Sequence, residues 1–154
     1  MFTRKYCMAM MQVCFGGRVA EELVFNDTTT GASNDLEQVT NLARAMVMRY
    51  GMSDALGPRT FGAREELVFL GREISEQRNY SEKVARQIDE EIKRIITTAY
   101  AKAKEILTTY RQALDAVANR LIIAENIDGD ELRKLIEHPE LVSLPGLETT
   151  PVQA

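Results

Sequence analysis

The side chains that could do chemistry in this chain are few, and the most informative is Asp35. It is the one acid in the run Thr28-Thr29-Thr30-Gly31-Ala32-Ser33-Asn34-Asp35-Leu36, which is otherwise polar and rich in small residues. Such a run reads as a loop followed by a helix start. Gly31 permits a turn at positive φ, and Asn34 is placed to N-cap with Glu37 three residues on, a variant of the capping box. Asp35 then falls in the first helical turn, where the helix dipole favours a negative charge. Glu21 and Glu22 form a second acidic point, which on residue type alone reads as a solvated patch. Cys7 and Cys14 are seven residues apart. On one helix they would lie about 10 Å apart, beyond disulfide reach. They match no zinc-knuckle spacing and read as buried, reduced thiols, which suits a cytosol-like compartment. His138, the single histidine, stands alone beside Pro139 and is a poor candidate ligand.

The elements that position these groups read as helices. Residues 3–25 form the first, with Gly16-Gly17 as the place where a kink is permitted. Residues 35–50 form the second, on an apolar face of Leu36, Val39, Leu42, Ala43, Met46 and Val47, stopped by Gly51. Residues 53–79 are irregular and punctuated by Gly57-Pro58, Gly62 and Gly71; Glu66–Leu70 reads equally as a short strand or a buried loop. Residues 81–109 give the strongest pattern. Val84, Ile88, Ile92, Ile95, Ala99, Ala103 and Ile106 step by three and four, while Asp89, Glu90, Glu91, Lys93 and Arg94 read as a solvated outer face with a Glu90–Arg94 pair. A turn near Thr109-Tyr110 would fold residues 113–125 back as an αα-hairpin. Asp128 caps a last helix with Glu131 at its third position, and Pro139 ends it. The expected fold is all-α, with at most one short strand.

Composition bounds the function. The chain has 154 residues, 45% hydrophobic and 27% charged, with a net charge of −4. That fits one soluble globular domain and gives no case for non-specific nucleic-acid binding. No apolar run reaches the length of a membrane span. Arg4-Lys5 before the apolar stretch from Tyr6 to Phe15 outlines a signal peptide. Gln12 interrupts that stretch, however, and Gly16-Gly17-Arg18 is a poor cleavage site, so a buried helix is the preferred reading.

Four blocks, in order, carry a resemblance: Gly16-Gly17-Arg18-Val19-Ala20-Glu21-Glu22-Leu23-Val24-Phe25, Thr30-Gly31-Ala32-Ser33-Asn34-Asp35-Leu36, Tyr50-Gly51-Met52-Ser53 and Leu56-Gly57-Pro58. The match continues through Asn79-Tyr80-Ser81 and Ile127-Asp128-Gly129-Asp130-Glu131-Leu132. Together they resemble the protease domain of the FtsH family, membrane-anchored, ATP-dependent AAA+ zinc metalloproteases. The resemblance implies that Asp35 is the third zinc ligand. It also implies that Glu21 sits near the metal site as an acid able to orient a ligand histidine. The other ligands in that family are two histidines of a His-Glu-x-x-His helix, whose Glu is the general base. This sequence contains no such motif and no Gly-x-x-x-x-Gly-Lys-Ser/Thr phosphate loop.

The chain therefore reads as the C-terminal part of such a protease, with residues 1–138 as the helical protease portion and 139–154 as a flexible tail. Zinc would need ligands from outside it, and ATP would enter only through an ATPase domain. Three origins fit its Met1: the start codon of a fragment, a mis-assigned reading frame and an expression product. The resemblance implies a homo-hexamer acting on protein substrates. It places the full-length protein at a membrane through an N-terminal anchor, with this domain on the cytoplasmic or organellar matrix or stroma side, soluble as a fragment. The rival reading is a non-catalytic helical module that joins or regulates a protease ring, with Asp35 only a helix-start acid. A plain helical-hairpin binding protein is the third, resting on composition alone.

Overall fold

The computed structural model describes residues 1–62 and 80–141. Most of the irregular segment, including Glu66–Leu70, and the tail from residue 142 lie outside the described residues. Those described are helical, with no strand among them: α1 (Arg4–Phe25), a 3-10 turn (Thr30–Ala32), α2 (Ser33–Met48), α3 (Glu82–Thr109), α4 (Arg111–Ala124), α5 (Gly129–Glu137) and a 3-10 turn (Pro139–Leu141). None of these helices is long and apolar enough to cross a membrane. The all-α expectation holds.

The chain divides into two compact units, residues 1–105 and 106–154, with the last turn of α3 in the second. In the first, Thr3 caps α1 by accepting from the Tyr6 amide, and Asn26 ends it at φ 53. That is a left-handed conformation asparagine tolerates at a helix end. Helix α1 runs unbroken through Gly16-Gly17. Its buried stripe is Cys7, Met11, Phe15 and Val19, one residue per turn, and it packs on the Val39, Ala43, Met46 and Val47 face of α2. Phe15 also meets the Tyr100 ring of α3 edge-on, and the Tyr100 hydroxyl donates to Glu22. Beyond α2, Gly51 takes φ 59, and the Met52 amide reaches back to the Met46 carbonyl.

Two boundary expectations are corrected. Gly31 is not at positive φ, because it lies inside a 3-10 turn that runs straight into α2. Asn34 does not cap; α2 begins at Ser33 after Ala32, and no side-chain cap is needed where the preceding turn is already helical. The face of α3 is corrected as well. Ile88, Glu91, Ile95, Ala99 and Ala103 are buried, whereas Ile92 is half-buried and Ile106 exposed. Positions 91 and 92 both lie between Ile88 and Ile95 on the inner side of a 3.6-residue turn. The acid takes the inner place because its charge is satisfied there: Ser53 Oγ donates to Glu91 at 2.7 Å, and the Arg94 guanidinium grips both its oxygens at 2.8 and 2.9 Å. Arg94 thus pairs with Glu91, not with Glu90.

In the second unit, Asp128 accepts from the Asp130 and Glu131 amides to start α5, as its spacing predicts. Helix α5 packs on α4, burying Leu135, and Arg120 of α4 pairs with Glu131 of α5.

Candidate metal-ligand site

Asp35 stands at the third position of α2, in its first turn, and is half-buried. Among the described residues no side chain hydrogen-bonds or ion-pairs with its carboxylate. The site is therefore an anionic oxygen pair at a helix N-terminus with coordination capacity unspent. Cys14 of α1 lies close enough to feel it. Burial first, and then the Asp35 charge, push the Cys14 thiol above its ordinary pKa.

Glu21 is the opposite case. It sits in the last turns of α1, and Thr29 holds it with its backbone amide on Oε2 at 3.1 Å and with its hydroxyl within 3.1 Å of both oxygens. The Thr29 hydroxyl in turn accepts from the Gly31 amide at 3.1 Å. One threonine, six residues before Asp35, therefore ties the end of α1 to the turn that feeds α2. Each Glu21 oxygen keeps lone-pair capacity for another donor, such as an imidazole N–H. Sequence reasoning found both acids but missed Thr29. Three adjacent threonines gave no way to choose among them, and the choice is made by the extended backbone at Thr29.

The donor set does not make a zinc site by itself. A catalytic zinc takes three protein ligands and keeps a position open. Among the described residues no three His, Cys, Asp or Glu side chains gather where they could hold a metal. His138 stands at the end of α5, where its Nδ1 pairs with Glu140 at 3.2 Å. Asp35 offers one carboxylate, fit for one place in a coordination shell.

Comparison with known proteins fits this partial geometry. The family model for Peptidase family M41 matches residues 1–135. The ATP-dependent zinc metalloprotease FtsH 1 of Sphaerobacter thermophilus is 56% identical over 138 residues, 90% of this chain and 21% of that protein. The ATP-dependent zinc metalloprotease FtsH of Chloroflexus aggregans is 57% identical over 138 residues, 88% of this chain and 21% of the relative. That of Thermotoga maritima is 49% identical over 134 residues, covering 87% and 22%. The chain thus spans about a fifth of the length of these relatives. A match over nearly all the described helices, including both acids and the turn that links them, places the chain in peptidase family M41, to which its resemblance to FtsH proteases pointed.

Proposed function

We infer that this chain forms the carboxylate-supplying part of the protease domain of an ATP-dependent zinc metalloendopeptidase. Asp35 is the third zinc ligand, completing a set whose two histidines belong to a His-Glu-x-x-His helix not encoded in this sequence. Glu21, held by Thr29, orients one of those imidazoles. The observation that carries the reading is the contrast between the two acids: Glu21 is fixed by a neighbour, while Asp35 is left unengaged at a helix start among the described residues. The whole protein works as a membrane-anchored homo-hexamer that degrades protein substrates, with this region on the cytoplasmic or organellar matrix or stroma side. The chain alone does not cleave peptides.

The test is a fusion of this chain to the segment of the Thermotoga maritima relative that carries the His-Glu-x-x-His helix. Zinc content and casein turnover are measured for the fusion and for its Asp35→Asn form, which keeps the shape and loses the anionic oxygen. The reading requires the Asn form to lose both. Full zinc and full turnover in that form would reduce Asp35 to a helix-start acid and overturn the ligand reading.

A further inference from the structure

Sulfur is unevenly spread along this chain. Of its seven Met and two Cys, five fall between Cys7 and Cys14: Cys7, Met8, Met10, Met11 and Cys14. All five stand on α1. Core packing accounts for Cys7 and Met11, which are buried in the stripe against α2, where sulfur serves as soft apolar filler. It does not account for Met10, which is exposed, or for Cys14, which is half-buried.

A groove explains what those two share. Met10, Met11 and Cys14 line one cleft of about 270 Å³ between α1 and α2. Met10 and Cys14 are four residues apart and Met11 and Cys14 three, so all three lie on one side of the helix, with neighbouring Cβ atoms about 5–6 Å apart. Sulfurs sharing a metal at bonds of about 2.3 Å stand no more than twice that apart. A methionine with three rotatable bonds spans that difference.

The donor types select the ion. One thiol and two neutral thioethers form a soft set, which suits Cu(I) rather than a hard cation. Zinc sites draw on thiolate, imidazole and carboxylate, and the groove offers only the first of these. The amides of Gln38 and Asn41 make its wall polar, and no lysine or arginine lines it to repel a cation. Asp35 does not line it either, so the inference stands apart from the reading of Asp35 as a zinc ligand.

We propose that Met10, Met11 and Cys14 form a three-sulfur site for a soft monovalent cation, Cu(I) above all, in the groove between α1 and α2. Binding exchanges a proton for the metal. The Cys14 S–H bond breaks, the S–Cu bond forms, the proton leaves to solvent, and no oxidation state changes.

The probe is Cu(I) itself, supplied without oxygen as its acetonitrile complex and titrated into the full chain against bathocuproine disulfonate. Wild type should draw one Cu(I) per chain from the chelator. Met10→Leu conserves volume, so it should melt like wild type yet bind about tenfold or more weakly. Cys14→Ser should bind weaker still. Met8→Leu, on the same helix but outside the groove, and Asp35→Asn should bind like wild type. Zinc at equal concentration should not displace the copper, and X-ray absorption should find sulfur neighbours around it. Absence of binding by wild type, or equal binding by Met10→Leu or Cys14→Ser, overturns the site. Loss of binding in Asp35→Asn would tie the ion to the carboxylate and overturn it too, as would nitrogen or oxygen neighbours in place of sulfur. One copper per two chains would set the ion between two Cys14 thiolates and overturn the three-sulfur groove.

Discussion

The hydroxyl of Ser53 donates to the buried carboxylate of Glu91 at 2.7 Å, joining the turn after α2 to the middle of α3. The same hydroxyl accepts from the Leu56 amide at 3.2 Å, and Arg94 closes the other side of the acid. Removing one partner from such a cluster leaves the others unpaired in a half-dry place. Glu91→Ala is therefore expected to lower stability by about 2 kcal/mol in urea melts. Ile95→Asp, at a core position, should prevent folding, while Ile92→Asp should be clearly milder than Ile95→Asp. Equal effects at 92 and 95 would put the inner line of α3 back where its isoleucines alone would draw it.

Acid should expose the same cluster. The Arg94 guanidinium foremost, opposed by burial and helped by Ser53, holds Glu91 down from 4.5 to about 2. A folded-state value below the unfolded one means the contribution is fully present above pH 4.5. It is lost as the pH falls from there toward 2. The melting temperature should drop over that window, and Glu91→Gln should flatten the drop. An equally steep acid limb in the Gln variant would move the cause to other carboxylates.

The alkaline side has its own reporter. The hydrogen bond to Glu22, followed by burial, raises the Tyr100 hydroxyl above its usual value of 10. Here the folded value lies above the unfolded one, so its contribution is present below pH 10 and fades as the pH climbs through the raised value. Tyr100→Phe should be less stable than wild type at neutral pH and lose less on going to high pH. Ultraviolet titration of the phenolates in wild type and variant checks the assignment.

Cys14 reports on Asp35. Burial and then the Asp35 charge disfavour its thiolate, and Asp35→Asn removes the second cause. Iodoacetamide should label Cys14 faster in the Asn variant at mildly alkaline pH, while Cys7, buried in the core, stays slow in both. In the same variant, thermal stability should fall by no more than about 1 kcal/mol, the scale of a first-turn dipole interaction. Unchanged labelling would separate the two side chains.

Much of this fold was legible because its helices announce themselves. The period of α3, the Thr3 end of α1, the Gly51 stop and the Asp128 cap are local signals, and the structure keeps them. What was illegible is what two distant segments decide together. Glu91 reads as surface because acids usually are; Arg94 one turn on and Ser53, brought in by the turn after α2, together let it sit inside. The start of α2 was misplaced because a 3-10 turn supplies the first helical geometry that Asn34 would otherwise have had to cap. At the candidate site, residue type picked out Asp35 and Glu21, but Thr29 depends on a backbone angle that three adjacent threonines do not reveal.

Position 51 has a hereditary consequence. A Cβ there would stand 3.0 Å from the Pro58 Cα and 3.2 Å from the Arg59 nitrogen, at a φ that side chains resist. Any replacement would have to push the Pro58–Arg59 backbone aside, and the residue before it, Gly57, donates its amide to the Ser53 carbonyl. Drift at this corner would therefore be felt far along the chain, in the loosened carboxylate of Glu91. Lineages descending from this sequence are expected to vary freely at the solvent faces of α3 while carrying the glycine forward unchanged.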